Sequence, residues 1–75
     1  MDFGTKLRQL REKQRLSQRE VAEMVRVVQS SYCDWENGNC FPKINYLPLL
    51  AEALDVEIEV LIADIMKRNQ SNKPD

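Results

Sequence analysis

The sequence has no histidine, and its 75 residues include two cysteines and two glycines. The absence of histidine excludes a Cys/His zinc site, and two thiols alone cannot complete a tetrahedral one. Neither a glycine-rich phosphate loop nor a pair of carboxylates in a cleft is recognisable, so no enzymatic reaction is indicated. The sequence therefore predicts no catalytic residue, no metal site and no small-molecule cofactor.

The two cysteines, Cys33 and Cys40, are too few for the disulfide framework of a small secreted domain. The first residues, "MDFGTKLRQL", lack the apolar core of a signal peptide. No apolar run approaches the roughly 18 residues of a membrane span. We expect a reducing cytoplasmic location without a membrane partner. Both cysteines are interpreted as small, partly buried residues, with a redox switch as the alternative.

The net charge is −1, but the two parts of the chain differ in sign. Residues 1–26 contain seven basic and four acidic residues, whereas residues 27–75 contain four basic and eight acidic ones. A chain of this length forms one domain with a thin core. Its first part is therefore the better candidate for a face toward an anionic partner.

Five helices and no strand are predicted, and the first two have clear local signals. Apolar residues at helical spacing predict a helix over about residues 3–13. Ser17 and Glu20 form a capping box that begins the second helix. The positions expected to face the core are Phe3, Leu7, Leu10, Val21, Ala22 and Val25.

The third predicted helix covers residues 29–37, and Gly38 is its expected C-terminal cap. Tyr32 and Trp35 lie three residues apart, so both are expected in the core. Their alternative role, as a stacking platform for single strands, is disfavoured. The segment "NCFPK" that follows is expected to be a loop.

Proline decides where the fourth helix begins. With Asn45 as N-cap, Pro48 falls in the first turn, where its missing N–H has no intrahelical partner. The residues expected to face inward from this helix are Leu47, Leu50, Ala51 and Leu54. The fifth helix covers about residues 57–68, and residues 69–75 form a polar tail expected to be disordered. Its apolar stripe contains Ile58, Leu61, Ile62 and Ile65.

The second and third helices suggest a helix-turn-helix. In that motif two short helices cross so closely that the first needs a small residue, and Ala22 occupies such a position. The second helix of the motif can then lie in the major groove, with its N-terminal side chains at base edges. The motif covers about residues 18–37.

The segments "LRQLREKQRLSQREVAEMV" and "VQSSYCDWENGNCFPK" resemble the XRE-type, phage-repressor-like helix-turn-helix family. The resemblance covers roughly residues 4–65, and "LSQREVA" and "WENG" are its most specific parts. It implies an all-α, compact five-helix domain over residues 1–68. It also implies binding of double-stranded operator DNA as a two-fold dimer.

The resemblance also implies which residues contact DNA. Gln29 and Ser30 begin the recognition helix and are expected at base edges, where glutamine can pair with adenine. Asp34, one turn later, is expected to accept from a cytosine amino group; the alternatives are a solvated acid, or an acid that weakens binding. Contacts to the DNA backbone are expected from Gln18, Ser31, Asn37, Asn39, Lys43 and Arg11.

Glu36 matches the family's acid at the end of the recognition helix, and Arg11 matches its basic partner. The resemblance therefore implies a structural ion pair between them. The guanidinium of Arg11 has enough N–H groups to hold the carboxylate and also contact a phosphate.

Four residues depart from the family pattern. Arg26 and Arg15 replace common glycines. Left-handed backbone costs a non-glycine residue about 1 kcal/mol, so the turn at Arg26 is expected to be either strained or differently shaped. Val28 replaces a usual Ser or Thr cap, so the recognition helix is expected to be poorly capped. Phe41 stands where a basic residue is common.

The predicted function is a sequence-specific DNA-binding transcriptional regulator, acting as a repressor or an antitoxin-like autoregulator. Extra apolar residues on the fifth helix, Val60, Ile62 and Met66, suggest a homodimer interface. Packing under the C-terminal tail is the alternative for these residues. The alternative function is a protein–protein interaction module of the same fold with weak or lost DNA binding. A third interpretation is the detached N-terminal domain of a longer regulator.

Overall fold

A computed structural model of the protein describes the backbone of residues 2–71 and the side chains of residues 2–63 and 65. This part of the chain contains five α-helices and no strand, so the predicted all-α fold is confirmed. The helices are α1 (Phe3–Lys13), α2 (Gln18–Val25), α3 (Gln29–Asn37), α4 (Leu47–Leu54) and α5 (Ile58–Ser71). A 3-10 turn, Ile44–Tyr46, immediately precedes α4.

Polar caps begin the first two helices. The side chain of Asp2 accepts a hydrogen bond from the Thr5 amide at 2.8 Å, so this residue caps α1. The capping box of α2 is confirmed, because Ser17 accepts from the Glu20 amide and Glu20 accepts from the Ser17 amide. Both helices therefore begin where a side chain satisfies an N–H group that has no intrahelical partner.

Left-handed backbone follows four of the described helices. Arg15 has a φ of 59°, and Arg26, which ends α2, has a φ of 69°. The strain predicted at these two arginines is therefore present. Asp55 has a φ of 58° at the end of α4, which the sequence analysis did not anticipate. Gly38 ends α3 with a φ of 82°, as predicted.

The predicted start of α4 at Asn45 was wrong. The Tyr46 amide donates to the Lys43 carbonyl, and the Leu47 amide donates to the Ile44 carbonyl, so the chain is already helical at Asn45. Asn45 is exposed, and α4 begins without a side-chain capping bond. Pro48 is the second residue of α4, where its missing N–H still has no intrahelical partner.

One hydrophobic core joins all five helices. Most residues predicted to face inward are buried, which confirms the helical pattern used to select them. The fully buried side chains among them are Leu7, Val21, Val25, Tyr32, Leu50, Leu54 and Leu61. Leu10, Ile58 and Ile65 are half-buried against this core, whereas Ile62 is 38% exposed. Ile62 thus lies outside the stripe that α5 packs inward.

Gly4 permits a close approach of α1 to the end of α3. A Cβ atom placed on Gly4 would overlap the Glu36 carbonyl oxygen and lie 2.9 Å from the Trp35 carbonyl oxygen. Any larger residue would therefore push the two helices apart. This role was not predicted from the sequence, although an isolated glycine within a helical pattern often has a packing reason.

The C-terminal end of α5 extends to Ser71, three residues beyond the predicted end of the domain. Residues 72–75 of the predicted tail lie outside the described residues. Within the described part of the chain, none of the helices has the length and apolar character required to cross a bilayer.

Candidate nucleic-acid interface

The connection between α2 and α3 is short and tightly bonded. The Arg26 amide donates to the Glu23 carbonyl at 3.2 Å, and the Val27 amide donates to the Ala22 carbonyl at 3.0 Å. Ala22 itself is 2% exposed, so its small side chain lies within the packed region of the motif. This connection sets the angle at which α3 leaves the body of the domain.

The first turn of α3 faces solvent. Gln29 and Ser30 are its first two residues, and both side chains are exposed without a hydrogen bond to another described residue. The N-cap, Val28, makes no side-chain capping bond and is 67% exposed, so the expected poor capping is present. The tip of α3 therefore presents an amide and a hydroxyl group outward.

Glu36 is the centre of a hydrogen-bond network that joins α1, α2 and α3. Its carboxylate accepts from Arg11 Nε at 2.6 Å and Nη2 at 3.3 Å. It also accepts from Tyr32 Oη at 2.5 Å and from Gln18 Nε2 at 3.0 Å. The Glu36 side chain is 3% exposed and that of Arg11 is 12% exposed. The charge of this acid on α3 is thus balanced by Arg11 inside the fold.

The pKa values in this network reflect the competition between burial and hydrogen bonding. Burial raises the pKa of Glu36, but the hydrogen bonds from Arg11, Tyr32 and Gln18 outweigh it, so that the pKa lies below its ordinary value. The hydrogen bond to Glu36 raises the pKa of Arg11. Burial, followed by the hydrogen bond to Glu36, raises the pKa of Tyr32 far above its usual range. At neutral pH the network therefore contains one carboxylate, one guanidinium and a neutral phenol.

Two residues expected at the DNA backbone are engaged in this network. Gln18 donates to Glu36, and its Oε1 accepts from the Cys33 thiol at 3.0 Å. Arg11 Nη1 also donates to the Leu16 carbonyl at 2.8 Å, so three of its five N–H groups bond internally. Contacts from these two side chains to phosphate stay predictions, and any such contact must use their remaining N–H groups.

A groove of about 350 Å³ separates α3 from the segment that leads to α4. Ser31 and Asp34 line it from α3, and Lys43 lines it from the opposite segment. The other lining residues are Val27, Trp35, Cys40, Phe41 and Tyr46. The structure thus places two of the expected backbone contacts, Ser31 and Lys43, along one groove beside the exposed tip of α3.

Asp34 has a defined partner at the end of α3. The Asn39 side-chain amide donates to Asp34 Oδ1 at 3.3 Å. Asn39 and Asn37 are both exposed. Asn39 thus contacts a residue that is expected to read a base, and its own expected contact with the DNA backbone stays a prediction.

Three members of the Glu36 network were not predicted from the sequence: Gln18, Tyr32 and Cys33. Tyr32 was assigned to the core, but its hydroxyl also binds Glu36, four residues later on the same face of α3. Cys33 is half-buried and free, with its thiol on Gln18. Cys40 is exposed and free, so its interpretation as a partly buried residue was wrong. The i, i+4 spacing of Tyr32 and Glu36 was the available signal.

The expected dimer surface on α5 is partly described. Val60 is half-buried and Ile62 is 38% exposed. The side chain of Met66, the third residue of the expected interface, lies outside the described residues.

Comparison with known families agrees with this geometry. The sequence model of a protein family described as a helix-turn-helix domain matches residues 2–64. The protein belongs to the helix-turn-helix domain family. The match covers most of the chain and includes α1 to α4 and the first part of α5. The predicted family and fold are therefore confirmed.

Two curated relatives share about a third of their aligned residues with this helix-turn-helix protein. It is 32% identical over 63 residues to the HTH-type transcriptional activator BcrR of Enterococcus faecalis, an alignment covering 84% of this chain and 31% of that protein. It is 36% identical over 62 residues to the cryptic phage CTXphi transcriptional repressor RstR of Vibrio cholerae, covering 83% of this chain and 56% of that protein. The chain thus spans about a third of one relative and just over half of the other. No solved structure matches it significantly.

Proposed function

We propose that this helix-turn-helix protein is a sequence-specific, double-stranded DNA-binding transcriptional regulator of the cytoplasm. The observation that carries the proposal is the exposed tip of α3, where Gln29 and Ser30 have no described partner. An α-helix fits the major groove, and N-terminal side chains of a recognition helix reach base edges there. The names of both relatives, one an activator and one a repressor, support a role in transcription.

The residues around this tip suit the DNA backbone. Ser31 and Lys43 line one groove beside α3, and Asn37 is exposed at the other end of the helix. A hydroxyl, an ammonium and an amide group can each donate to a phosphate oxygen. Because the charge of Glu36 is balanced by Arg11 and its carboxylate also accepts from Tyr32 and Gln18, it adds little repulsion against phosphates. We propose that these contacts fix the register of α3, and that Gln29 and Ser30 read bases.

Selection of bound duplexes from a random pool tests this function, followed by affinity measurements at several salt concentrations. We expect one enriched sequence and an affinity that falls steeply with salt, because each neutralised phosphate releases roughly one counterion. Lys43→Ala should reduce the slope of log affinity against log salt concentration by about one and weaken binding to all duplexes equally. Gln29→Ala should instead weaken the base preference at one position of the duplex. A flat salt response, or no enrichment, would contradict the proposal.

We also propose that regulation is repressive, by occupation of an operator or of the protein's own promoter. Two-fold dimers place their recognition helices about one DNA turn apart, which predicts an inverted repeat in the enriched sequence. The exposed side of α5 is the proposed interface, because Ile62 is a large apolar side chain left outside the core.

Sedimentation equilibrium of wild type and Ile62→Glu tests the dimer. A buried charge in an apolar interface is costly, so Ile62→Glu should shift the protein toward monomer. Ile44→Glu is the matched control, since Ile44 is 80% exposed and lies outside α5. The interface is wrongly placed if both variants keep the wild-type mass distribution.

A protein–protein interaction module is the second candidate. Three exposed apolar side chains favour it: Val28, Phe41 and Ile44 lie at or near the segments that flank the groove. Exposed apolar residues of this kind often mark partner surfaces. A protein that binds no duplex at low salt, yet remains folded, would favour this candidate over DNA binding.

A further inference from the structure

We propose that Asn39 is a positioning residue for base recognition: it holds one oxygen of Asp34 so that the other accepts the amino group of a cytosine. The inference rests on the proposed function, since it concerns how α3 reads DNA. It assigns Asn39 a role different from the phosphate contact expected from sequence.

Asp34 lies on the face of α3 that carries Ser30. The two residues are four apart, so their side chains project from the same side of the helix on successive turns. Asp34 is half-exposed and lines the groove beside α3. When the tip of α3 enters the major groove, Asp34 therefore follows Ser30 along the base edges.

The backbone at the end of α3 fixes the position of Asn39. Gly38 takes a left-handed conformation with a φ of 82°, which turns the chain back over the last turn of the helix. The Asn39 amide then donates to the Asp34 carbonyl at 2.9 Å. From this position its side-chain Nδ2 reaches Asp34 Oδ1 at 3.3 Å. Two hydrogen bonds thus connect Asn39 to the same residue, one to its backbone and one to its carboxylate.

The remaining oxygen determines which base is accepted. Among the described residues, Asp34 Oδ2 has no hydrogen-bond partner. An ionised carboxylate only accepts hydrogen bonds, and in the major groove only cytosine and adenine offer an amino group. Adenine also presents the N7 acceptor beside its amino group, which repels a carboxylate, whereas cytosine has no acceptor there. The arrangement therefore favours cytosine over the other three bases.

Asn39 improves this selection by restricting the carboxylate. A free aspartate rotates about χ2 and offers either oxygen in several directions, so part of the binding free energy is lost in ordering it. With Oδ1 held by Asn39, Oδ2 is directed before DNA arrives. Lys43 lines the same groove, and we expect its ammonium group to reduce the repulsion between the carboxylate and nearby phosphates.

Base discrimination in the selected duplex tests the inference. The affinity of each protein is measured for duplexes carrying each of the four base pairs at every selected position. Wild type should prefer cytosine at one position by about tenfold or more. Asp34→Ala should abolish that preference, and Asn39→Ala should reduce it several-fold without changing selection at the positions read by Gln29 and Ser30. The double variant should match Asp34→Ala, because Asn39 acts through Asp34.

Asp34→Asn is the second diagnostic variant. An asparagine side chain pairs with adenine through one donor and one acceptor, so the preferred base should change from cytosine to adenine. Thermal unfolding shows whether every variant keeps its fold. If the role of Asn39 is merely structural, Asn39→Ala should weaken binding to all duplexes equally and leave the ratios of affinity between bases unchanged.

The possible failures are distinguishable. If Asn39→Ala is folded and keeps the full cytosine preference, or if no position depends on Asp34, this inference is overturned while the proposed function stands. If wild type binds no duplex at low salt, the proposed function fails and this inference fails with it.

Discussion

At the scale of the residue, strain in this protein is concentrated at helix ends. Arg15, Arg26 and Asp55 all take left-handed backbone that suits glycine. Aspartate tolerates this region better than arginine, because its short polar side chain can bond locally. The two arginines were identified because glycine is common at these positions in the family that the sequence resembles. Nothing in the sequence around Asp55 indicated a left-handed residue.

Replacing Arg26 with glycine should stabilise the protein. Glycine adopts a φ of 69° without steric cost, so the free energy of unfolding should rise by up to about 1 kcal/mol. Arg8→Gly is the matched control: Arg8 is exposed within α1, where glycine should lower stability by about 1 kcal/mol. Urea unfolding measures both. If Arg26→Gly is destabilising to the same degree as Arg8→Gly, the assigned strain is absent.

The depressed pKa of Glu36 makes stability depend on acid pH. Its folded pKa lies below the ordinary 4.5, so the unfolded chain takes up the proton first as the pH falls. The contribution of Glu36 is therefore complete above the ordinary value and decreases as the pH passes through the lower, folded pKa. Glu36→Gln should cost about 2 kcal/mol at neutral pH, and this difference should narrow in acid.

Urea unfolding of wild type and Glu36→Gln, from neutral pH to about pH 3, measures this dependence. Glu23→Gln is the control, because the ion pair of Glu23 with Arg19 is exposed and should contribute less than about 1 kcal/mol. A constant difference between wild type and Glu36→Gln across the whole range would contradict the assigned network.

At the scale of the element, α1 and α3 approach each other so closely at Gly4 that no side chain fits between them. The contact depends on Gly4, whose absent Cβ leaves room for the carbonyl groups of Trp35 and Glu36. The same two helices are joined by the ion pair between Arg11 and Glu36. The recognition helix is therefore fixed to the body of the domain through α1 at two points.

Gly4→Ala should destabilise the protein, although alanine is ordinarily the better helix former by about 1 kcal/mol. The added methyl group overlaps backbone that cannot rotate away, so the loss should exceed the roughly 1 kcal/mol expected from conformation alone for Gly38→Ala. Gly38 has open space around it and serves as the comparison. Thermal unfolding that ranks Gly38→Ala as the more damaging change would refute the close approach.

The first turn of α3 has an uncapped N-terminus, which the sequence predicted. Val28→Thr supplies a side-chain oxygen for the unpaired amide groups and should raise the free energy of unfolding by about 1 kcal/mol. Chemical denaturation measures the gain. Ile44→Thr, at another exposed β-branched position, controls for the change in polarity and should alter stability by less than about 0.5 kcal/mol.

At the scale of the whole molecule, local signals predicted the elements and long-range contacts decided the site. Helical periodicity and capping residues act over a few positions, so α1 and α3 were predicted with their observed bounds and α2 with its observed start. The start of α4 was misplaced because a 3-10 turn, formed by backbone hydrogen bonds, replaces the side-chain cap expected from Asn45. The ion pair was anticipated by resemblance alone.

The remaining parts of the site depend on tertiary arrangement. The bond between Gln18 and Cys33 joins residues fifteen positions apart, and the bond between Gln18 and Glu36 joins residues eighteen apart. No local pattern encodes such pairs. The contact between Asn39 and Asp34 depends on the left-handed turn at Gly38, which the sequence predicted, but the direction of the two side chains required coordinates.

The central claim is that the exposed tip of α3 reads bases. The most direct measurement is the ratio of affinities for the selected duplex and for a scrambled duplex, at one salt concentration, in wild type and in Gln29→Ala/Ser30→Ala. We expect the ratio to fall in the double variant to no more than the preference that Asp34 contributes, while affinity for the scrambled duplex is unchanged. A double variant that keeps the wild-type ratio would contradict the claim.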